Sequence, residues 1–432
     1  MDIANNKVHA DISSFTKDQL NAYAGLIDFI NSSYNENDYK RALVGPAGTG
    51  KTYLLKALIK NSNLSYSTIG VAAPTHKACR VLSESINLPN ITINTLQSDL
   101  GLRLNFDVEK FDISNPPFDP KGRIKIGEYK IYIVDESSMI NRDLLIFLEK
   151  TCKSNKCKII YVGDSAQLAP VGEYYSSAFD KVKVYKLTQI VRQESDNPIV
   201  YLLELLRYDI EHKTFNFLNY ISKNREKFDD NNIKGYKVCN SIEFSNYVYS
   251  NFTDEQLTKN VDFAKIIGYT NVAVSAWNKY VRNATIKDSD KSIITQNDLI
   301  ISYDTIVNKF NEAVITNSEE YILKDVVNYV HPQYELKGFL VRFVAIHGGA
   351  VTTPLFIVDH KDVFTIQRYI QLSNELITAA KNASIRIKPQ RWKEYYSFKE
   401  TALLLTNILK KDGTILYSRD LDYGFALTAH KS

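Results

Sequence analysis

The stretch from Gly45 to Thr52 carries the clearest chemical pattern in the sequence. It reads GPAGTGKT, a complete G-x-x-x-x-G-K-[ST] motif, between a short apolar run (41–44) and an apolar stretch of helical periodicity (53–59). Glycines let consecutive backbone N–H groups turn toward phosphate oxygens, and the helix that follows adds the positive end of its dipole. An ordinary glycine turn needs neither Lys51 and Thr52 nor this spacing, so we predict a phosphate-binding loop.

This loop predicts ATP with Mg²⁺ as the bound cofactor. Lys51 would reach the β- and γ-phosphates, and the Thr52 hydroxyl would bind Mg²⁺. The candidate nucleotide-binding residues are Gly45, Pro46, Ala47, Gly48, Thr49, Gly50, Lys51 and Thr52.

Two adjacent acids, Asp135 and Glu136, end an apolar run at 131–134. In a phosphate-loop enzyme the first acid holds Mg²⁺ and the second orients and deprotonates the attacking water. A solvated helix start is the alternative, and the apolar strand downstream of the loop favours the catalytic interpretation. Gln167 follows the next apolar strand (158–162) and is placed to sense the γ-phosphate; taken alone, it would more often be a surface residue.

Composition limits the class of protein only broadly. A chain of 432 residues is expected to form two or more domains, and its net charge of +4 permits a nucleic-acid partner without arguing for one. Its four cysteines show no C-x-x-C spacing, which argues against a zinc site or a disulfide framework. There is no signal-peptide core and no apolar run near the roughly 20 residues of a membrane span. We therefore expect a cytoplasmic protein without a membrane segment.

Strand and helix patterns alternate from residue 16 to residue 162, which is typical of a parallel sheet covered on both faces. The alternation fails between 104 and 127, where proline and glycine turns predict a small insertion. The stretch 213–254 has no clear pattern. A second α/β unit begins near residue 264, and short β-like runs from 315 to 359 predict a small β-domain.

Five motifs, in this order, resemble those of superfamily 1 helicases, most closely the 5′→3′ branch that includes the phage Dda helicases and RecD. They are GPAGTGKT (45–52), APTHKA (73–78), VDES (134–137), GDSAQLAPV (163–171) and LTQIVRQ (187–193). The resemblance implies an α/β fold with two RecA-like phosphate-loop domains, at 1–255 and 256–432. It further implies a pin-like insertion at about 104–127 and an SH3-like β insertion with a helical extension at about 315–409.

The family's activity is ATP-dependent translocation on single-stranded DNA, coupled to unwinding. By resemblance Gln19 reads adenine, although Thr16-x-x-Gln19 is also a capping box and both roles can hold. Arg192 resembles the arginine that reaches the γ-phosphate; an exposed structural arginine is the alternative. The implied partners are single-stranded DNA, junctions of single and double strand, and replication or recombination proteins, with the chain acting as a monomer.

The resemblance also assigns nucleic-acid contacts. Pro74, Thr75 and His76 resemble a loop that contacts the strand backbone, with a β-turn as the alternative. Tyr269, Thr270 and Asn271 resemble the first strand and loop of the second motor domain, and His430 belongs to a later motif. Trp277 is better explained as a core residue. Three aromatic residues in the predicted insertion are candidates for the strand-separating pin or for simple packing: Phe106, Phe111 and Phe118.

The sequence departs from the family at residues 426–432, which resemble the opening of a motif that normally reads [TA]-x-HKSQG. We therefore expect a C-terminally truncated chain that lacks a final arginine motif. Two functions are alternatives to that of a helicase. One is a hydrolysis-poor fragment that binds single strands or a partner, and the other is a phosphate-loop ATPase that acts on protein. The Asn-, Lys-, Tyr- and Ile-rich composition suits an AT-rich genome such as that of a phage.

Overall fold

The computed structural model describes residues 10–102, 123–170, 172–191, 197–287, 289–307, 313–346 and 349–429. The described residues form two compact units. The first takes those of 1–74, 78–94 and 126–247, and the second takes those of 75–77, 95–125 and 248–432. Among the helices so described, none combines the length and apolar character needed to cross a lipid bilayer.

The helices and strands up to residue 252 follow in chain order. They are α1 (Lys17–Asn31), β1 (Lys40–Val44), α2 (Lys51–Asn61), β2 (Ile69–Ala73), α3 (His76–Ile86), β3 (Ile93–Thr95), α4 (Leu96–Asp99), β4 (Ile131–Val134), α5 (Arg142–Ser154), β5 (Lys158–Gly163), β6 (Lys183–Lys186), α6 (Pro198–His212), α7 (Asn216–Lys223), β7 (Glu226–Phe228), β8 (Gly235–Lys237) and α8 (Ser241–Phe252).

The remaining elements run from residue 256 to residue 428. They are α9 (Gln256–Lys259), β9 (Ile266–Gly268), α10 (Asn271–Thr285), β10 (Leu299–Ser302), β11 (Ile306–Val307), β12 (Ala313–Ile315), β13 (Glu320–His331), β14 (Leu336–Ala345), β15 (Leu355–Val358), α11 (Val363–Asn382), α12 (Lys388–Thr401), β16 (Ala402–Leu403), β17 (Ile408–Leu409), β18 (Ile415–Tyr417), β19 (Leu421–Tyr423) and β20 (Ala426–Thr428).

A six-stranded sheet in the order β3-β2-β4-β5-β1-β6 organises the first unit. Strand β1 pairs in parallel with β5 and β6, and β4 pairs in parallel with β2 and β5. Every residue of β2, β4 and β5 is buried, and apolar side chains from α1, α2 and α3 pack against the sheet. The predicted parallel sheet is therefore confirmed, and the carboxyl ends of the adjacent strands β4, β5 and β1 meet at one edge.

The start of α1 forms as the capping box predicts. Thr16 accepts from the backbone N–H of Gln19, and the Gln19 side chain accepts from the backbone N–H of Thr16. The end of α1 is tied to the sheet by Lys158, whose Nζ donates to the carbonyls of Phe29 (2.7 Å), Ile30 (2.9 Å) and Ser32 (2.6 Å). Because both ends of α1 are fixed, Gln19 has a defined position at its start.

The second unit contains a six-stranded sheet in the order β16-β15-β14-β13-β10-β19. Its pairings are antiparallel except for β15 with β16, and a separate parallel pair, β9 with β20, packs against α10. The β-like runs predicted between 315 and 359 correspond to β12 to β15, and the predicted helical extension corresponds to α11 and α12. The SH3-like character of this region stays a prediction, as do the domain boundaries.

Residues 213–254, which had no clear sequence pattern, form α7, the hairpin of β7 and β8, and α8. Most of the predicted insertion at 104–127 lies outside the described residues, together with Phe106, Phe111 and Phe118. The assignment of a pin to that stretch therefore stays a prediction.

Candidate active site

The phosphate loop leaves the carboxyl end of β1 and enters the first turn of α2. Gly48 and Gly50 both have a φ of 81°, in the left-handed region that glycine adopts without a Cβ penalty. A Cβ on Gly50 would also lie 2.5 Å from Nε2 of Gln19. Two of the three loop glycines are thus required by backbone geometry, and the third, Gly45, donates its N–H to the carbonyl of Gly163 at 3.1 Å.

Lys51 folds back over this loop. Its Nζ donates to the carbonyl oxygens of Gly45 (2.7 Å) and Pro46 (3.0 Å). The pKa of Lys51 is lowered, chiefly by burial. The carboxylates of Asp164, Asp135 and Glu136 act in the opposite direction and offset part of this shift. A phosphate that replaced the two carbonyls as the acceptor would give the ammonium group a full opposite charge.

Gln19 lies directly against the same loop. Its Nε2 donates to the carbonyl of Thr49 at 2.9 Å, and the side chain is buried. The capping-box role is therefore confirmed, and the amide also supports the loop backbone. Its assignment as the residue that reads adenine stays a prediction.

The adjacent acids stand at the carboxyl end of β4, as the sequence predicts. Burial raises the pKa of Asp135, and burial together with Asp135 raises that of Glu136. Glu136 also has a φ of 50°, a left-handed conformation that costs a non-glycine residue on the order of 1 kcal/mol. A desolvated carboxylate with a raised pKa is suited to accept a proton, and its neighbour is suited to bind a cation that relieves the repulsion.

The structure adds an ion pair that sequence reasoning missed. Asp164, at the carboxyl end of β5, is buried and binds Arg207 of α6 through two hydrogen bonds of 2.9 and 2.7 Å. Burial is the largest single influence and would raise the pKa of Asp164, but the hydrogen bonds from Arg207 and the Ala166 N–H, together with the charges of Arg207 and Lys51, lower the pKa below the ordinary 3.8. Both residues act electrostatically on Lys51, with opposite signs. The pair therefore joins α6 to the charged cluster beside the phosphate loop.

We expect Arg207→Gln to lower the free energy of unfolding by about 1–3 kcal/mol at pH 7, because it leaves the buried Asp164 carboxylate without a counter-charge; the loss is smaller than for a fully buried pair because the Arg207 side chain is 32% exposed. Asp164 is ionised in the native state at a lowered pKa, so the pair stabilises the fold above the ordinary carboxyl pKa. The difference between the two proteins should shrink as the pH falls below about 3.8 toward the lowered pKa that Asp164 has in the native state. Urea unfolding at several pH values measures it.

The double variant Asp164→Asn, Arg207→Gln is the control for this prediction. It removes both charges and should recover at least half of the lost stability, since no buried charge is left unpaired. The single variant Asp164→Asn completes the cycle, and a double variant whose loss of stability equals the sum of the two single losses would show that the pair is not coupled.

The other predicted catalytic residues have different outcomes. Gln167 is exposed in the turn after β5, where its N–H donates to the carbonyl of Asp164 at 3.1 Å. Its role toward the γ-phosphate stays a prediction. Arg192 lies outside the described residues. Thr52, the proposed ligand of Mg²⁺, occupies the first turn of α2 next to Lys51.

The predicted nucleic-acid contacts fall in two places. Pro74 is buried at the end of β2, and Thr75 and His76 are half-buried where α3 begins; burial lowers the pKa of His76. Tyr269, after β9, is 98% exposed. His430 lies outside the described residues.

The residues after Tyr269 form the start of α10. Thr270 is its N-cap and accepts from the N–H of Ala273, while Oδ1 of Asn271 accepts from Arg419 at 3.3 Å. Trp277, expected in the core, is partly buried and packs against a core cluster that includes Val274.

Two arginines of the second unit are engaged within that unit. Arg282 is buried and binds both carboxylate oxygens of Asp298 and the carbonyl of Ser289. Arg419 pairs with Asp422 and donates to the Tyr303 hydroxyl at 2.9 Å. These contacts stabilise the second unit and do not indicate a catalytic role for either arginine.

Comparisons with known proteins match the part of the chain that contains this site. The AAA domain family matches residues 27–222, which contain the phosphate loop, both acids and Arg207. An uncharacterised protein of Acanthamoeba polyphaga mimivirus, R530, is 27% identical over 343 residues, covering 73% of this chain and 64% of its own length.

Two further relatives carry functional names. The ATP-dependent DNA helicase dda of Enterobacteria phage T4 is 25% identical over 319 residues, covering 70% of this chain and 66% of the relative. The ATP-dependent RecD2 DNA helicase of Deinococcus radiodurans is 30% identical over 164 residues, covering 37% of this chain and 20% of the relative. The chain thus spans less than two thirds of the length of each of these relatives.

Proposed function

We propose that this chain, which is related to the superfamily 1 helicases of the Dda and RecD type, hydrolyses Mg²⁺-ATP and uses the energy to move along single-stranded DNA. The observation that carries the proposal is the charged cluster in the first unit. Lys51, Asp135 and Glu136 act on one another electrostatically at the carboxyl edge of one parallel sheet, where β5 lies between β4 and β1, beside a glycine loop with the backbone geometry of a phosphate site.

The residues at this site divide the work of phosphoryl transfer. Lys51 and the loop N–H groups hold the β- and γ-phosphates, and Glu136 takes the proton of the attacking water. Thr52 and Asp135 would hold Mg²⁺, because the desolvation that raises the pKa of Asp135 is relieved by a cation. The ion would neutralise phosphate charge. Asp164 is a third carboxylate that acts electrostatically on Lys51. Arg207 keeps Asp164 in place and ionised, so Asp164 does not compete with Glu136 for the proton of the attacking water.

Single-stranded DNA is proposed as the track. Both functionally named relatives are DNA helicases by name, and the exposed Tyr269 has the form of a stacking platform for a base. By the same resemblance the direction of movement is 5′→3′, junctions of single and double strand are substrates, and the chain works as a monomer. Replication or recombination proteins are the expected protein partners.

Tyr269→Ala should weaken binding of a single-stranded oligothymidylate by about 5- to 100-fold, because one base–aromatic stack contributes about 1–3 kcal/mol. Tyr269→Phe should bind nearly as well as the unmodified protein, since the ring is kept. Tyr249→Ala on α8, which removes another exposed ring, serves as the control. Fluorescence anisotropy at fixed salt concentration measures all four proteins; equal affinities for Tyr269→Ala and Tyr249→Ala would contradict the assignment.

The function itself is tested by steady-state ATP hydrolysis with and without single-stranded DNA. Stimulation by DNA, together with binding that weakens as salt rises, supports the proposal. Hydrolysis without DNA binding would indicate an ATPase that acts on protein. DNA binding with little hydrolysis would indicate a binding module.

A further inference from the structure

The segment 376–393 has an unusual charge composition. It contains five basic residues and no acidic residue, in a chain whose 53 basic and 49 acidic residues nearly balance. The five are Lys381, Arg386, Lys388, Arg391 and Lys393, and we call them the tip patch.

The tip patch lies at the turn between two packed helices. Helix α11 ends at Asn382 and α12 begins at Lys388, so the patch occupies the last turn of α11, the connection, and the first turns of α12. The side chains of Lys381, Arg386, Arg391 and Lys393 are exposed. With 20 residues, α11 is about 30 Å long, which carries the patch far along the helix from the end that starts beside β15.

The start of α12 lacks two features that commonly stabilise a helix N-terminus, a side-chain cap and an acidic residue. Its N-cap is Ile387, which makes no side-chain capping bond, and its first turn carries Lys388 without any acidic residue. Basic residues at a helix N-terminus are unfavourable because they meet the positive end of the dipole. In α1, by contrast, a capping box and Asp18 satisfy the same position. The negative end of the α11 dipole lies at the same turn and offsets the positive end of α12, so the positive potential at the tip comes from the basic side chains.

We propose that the tip patch binds the phosphate backbone of double-stranded DNA, as a contact separate from the single-stranded track; this rests on the proposed function. Arg391 pairs with Glu394 at 2.8 Å, and a ligand with regularly spaced negative charges complements the other four basic residues at this end of the helical hairpin.

The duplex is favoured over the single strand by the aromatic residues nearby. Nonspecific binders of single strands combine basic grooves with exposed rings on which bases stack. Here Trp392, Tyr395 and Tyr396 pack on one another, with ring centroids 5.4–5.9 Å apart, and none is exposed. The patch therefore offers charge without a stacking platform, which suits phosphates on an outer surface.

The test compares two charge reversals in the full chain. One variant carries Arg386→Glu and Lys393→Glu; the control carries Lys410→Glu and Lys411→Glu, in the turn between β17 and β18 of the same unit, where both lysines are exposed. Each variant changes the net charge equally. Anisotropy over a series of salt concentrations measures affinity for a blunt duplex and for a single strand of the same length.

We expect the tip variant to bind the duplex at least tenfold more weakly than the control at about 0.1 M salt, with a salt slope smaller by about 1–2. Its affinity for the single strand and its DNA-stimulated ATP hydrolysis should match those of the control. Equal duplex affinities, or no duplex binding by the unmodified protein, would overturn the proposal. Equal losses of affinity for the duplex and for the single strand would overturn it as well. Absence of DNA-stimulated hydrolysis in the unmodified protein would instead count against the proposed function.

Discussion

Lys51→Ala is expected to reduce ATP turnover to background while the chain stays folded. The ammonium group is the principal positive charge that the described loop can offer to the β- and γ-phosphates, and removing such a charge costs on the order of several kcal/mol of transition-state stabilisation. That corresponds to a loss of at least about 10³ in rate. Phosphate release from ATP under saturating single-stranded DNA is the measurement.

The structure also predicts what Lys51→Ala does to the fold. The carbonyls of Gly45 and Pro46 lose a charged donor, so a loss of about 1–2 kcal/mol in the free energy of unfolding is expected. Lys60→Ala, in the last turn of the same helix, removes an equal charge away from the loop and should keep full turnover. Turnover of Lys51→Ala within a few-fold of that control would rule out the assignment of the loop.

The parts of the site that could be predicted from the sequence are those whose residues lie close together along the chain. Gly48, Gly50 and Lys51 can be recognised in the sequence, because a left-handed backbone requires glycine and a phosphate-facing ammonium group requires lysine, both at fixed spacing. Asp135 and Glu136 follow for a similar reason, since an apolar strand that ends in acids places them at a sheet edge. The capping box of Thr16 and Gln19 is equally local.

The ion pair between Asp164 and Arg207 could not be predicted in this way. Its partners are 43 residues apart, and Arg207 lies on a helix whose position relative to β5 no local pattern encodes. The signal available in sequence was weaker: a lone acid after a buried strand needs a counter-charge when it is buried. Likewise, the exposure of Gln167 depends on how the turn after β5 packs, which the motif alone does not specify.

The second unit shows the same division between local and distant information. A second α/β unit was expected to begin near residue 264, and the strand β9 and the helix α10 form there. The partner of β9 in its parallel pair is β20, about 160 residues later in the chain, and no pattern in either strand predicts that pairing. The ion pairs of Arg282 with Asp298 and of Arg419 with Asp422 likewise form between residues that no local motif links.

Glu136→Gln is expected to retain Mg²⁺-ATP binding and to lose hydrolysis. The amide has the shape of the carboxylate but cannot accept the proton of the attacking water, and general bases of this kind contribute about 10²–10⁴ in rate. The raised pKa of Glu136 makes the carboxylate a better base and sets the sign of the pH dependence. Turnover of the unmodified protein should increase as the pH rises through that pKa, and the small residual turnover of Glu136→Gln should lack this step.

Asp135→Asn separates the two acids experimentally. Since Asp135 is assigned to the cation, its amide variant should weaken the binding of ATP in the presence of Mg²⁺ and have much less effect on the binding of ATP alone. Glu84→Gln, at an exposed position of α3, is the control for a simple change of charge. Equilibrium binding of a fluorescent ATP analogue and single-turnover hydrolysis give both quantities for each variant. If Glu136→Gln weakened Mg²⁺-ATP binding while hydrolysis persisted, and Asp135→Asn did the opposite, the two roles would have to be exchanged: the residue with the left-handed backbone would then be the cation ligand.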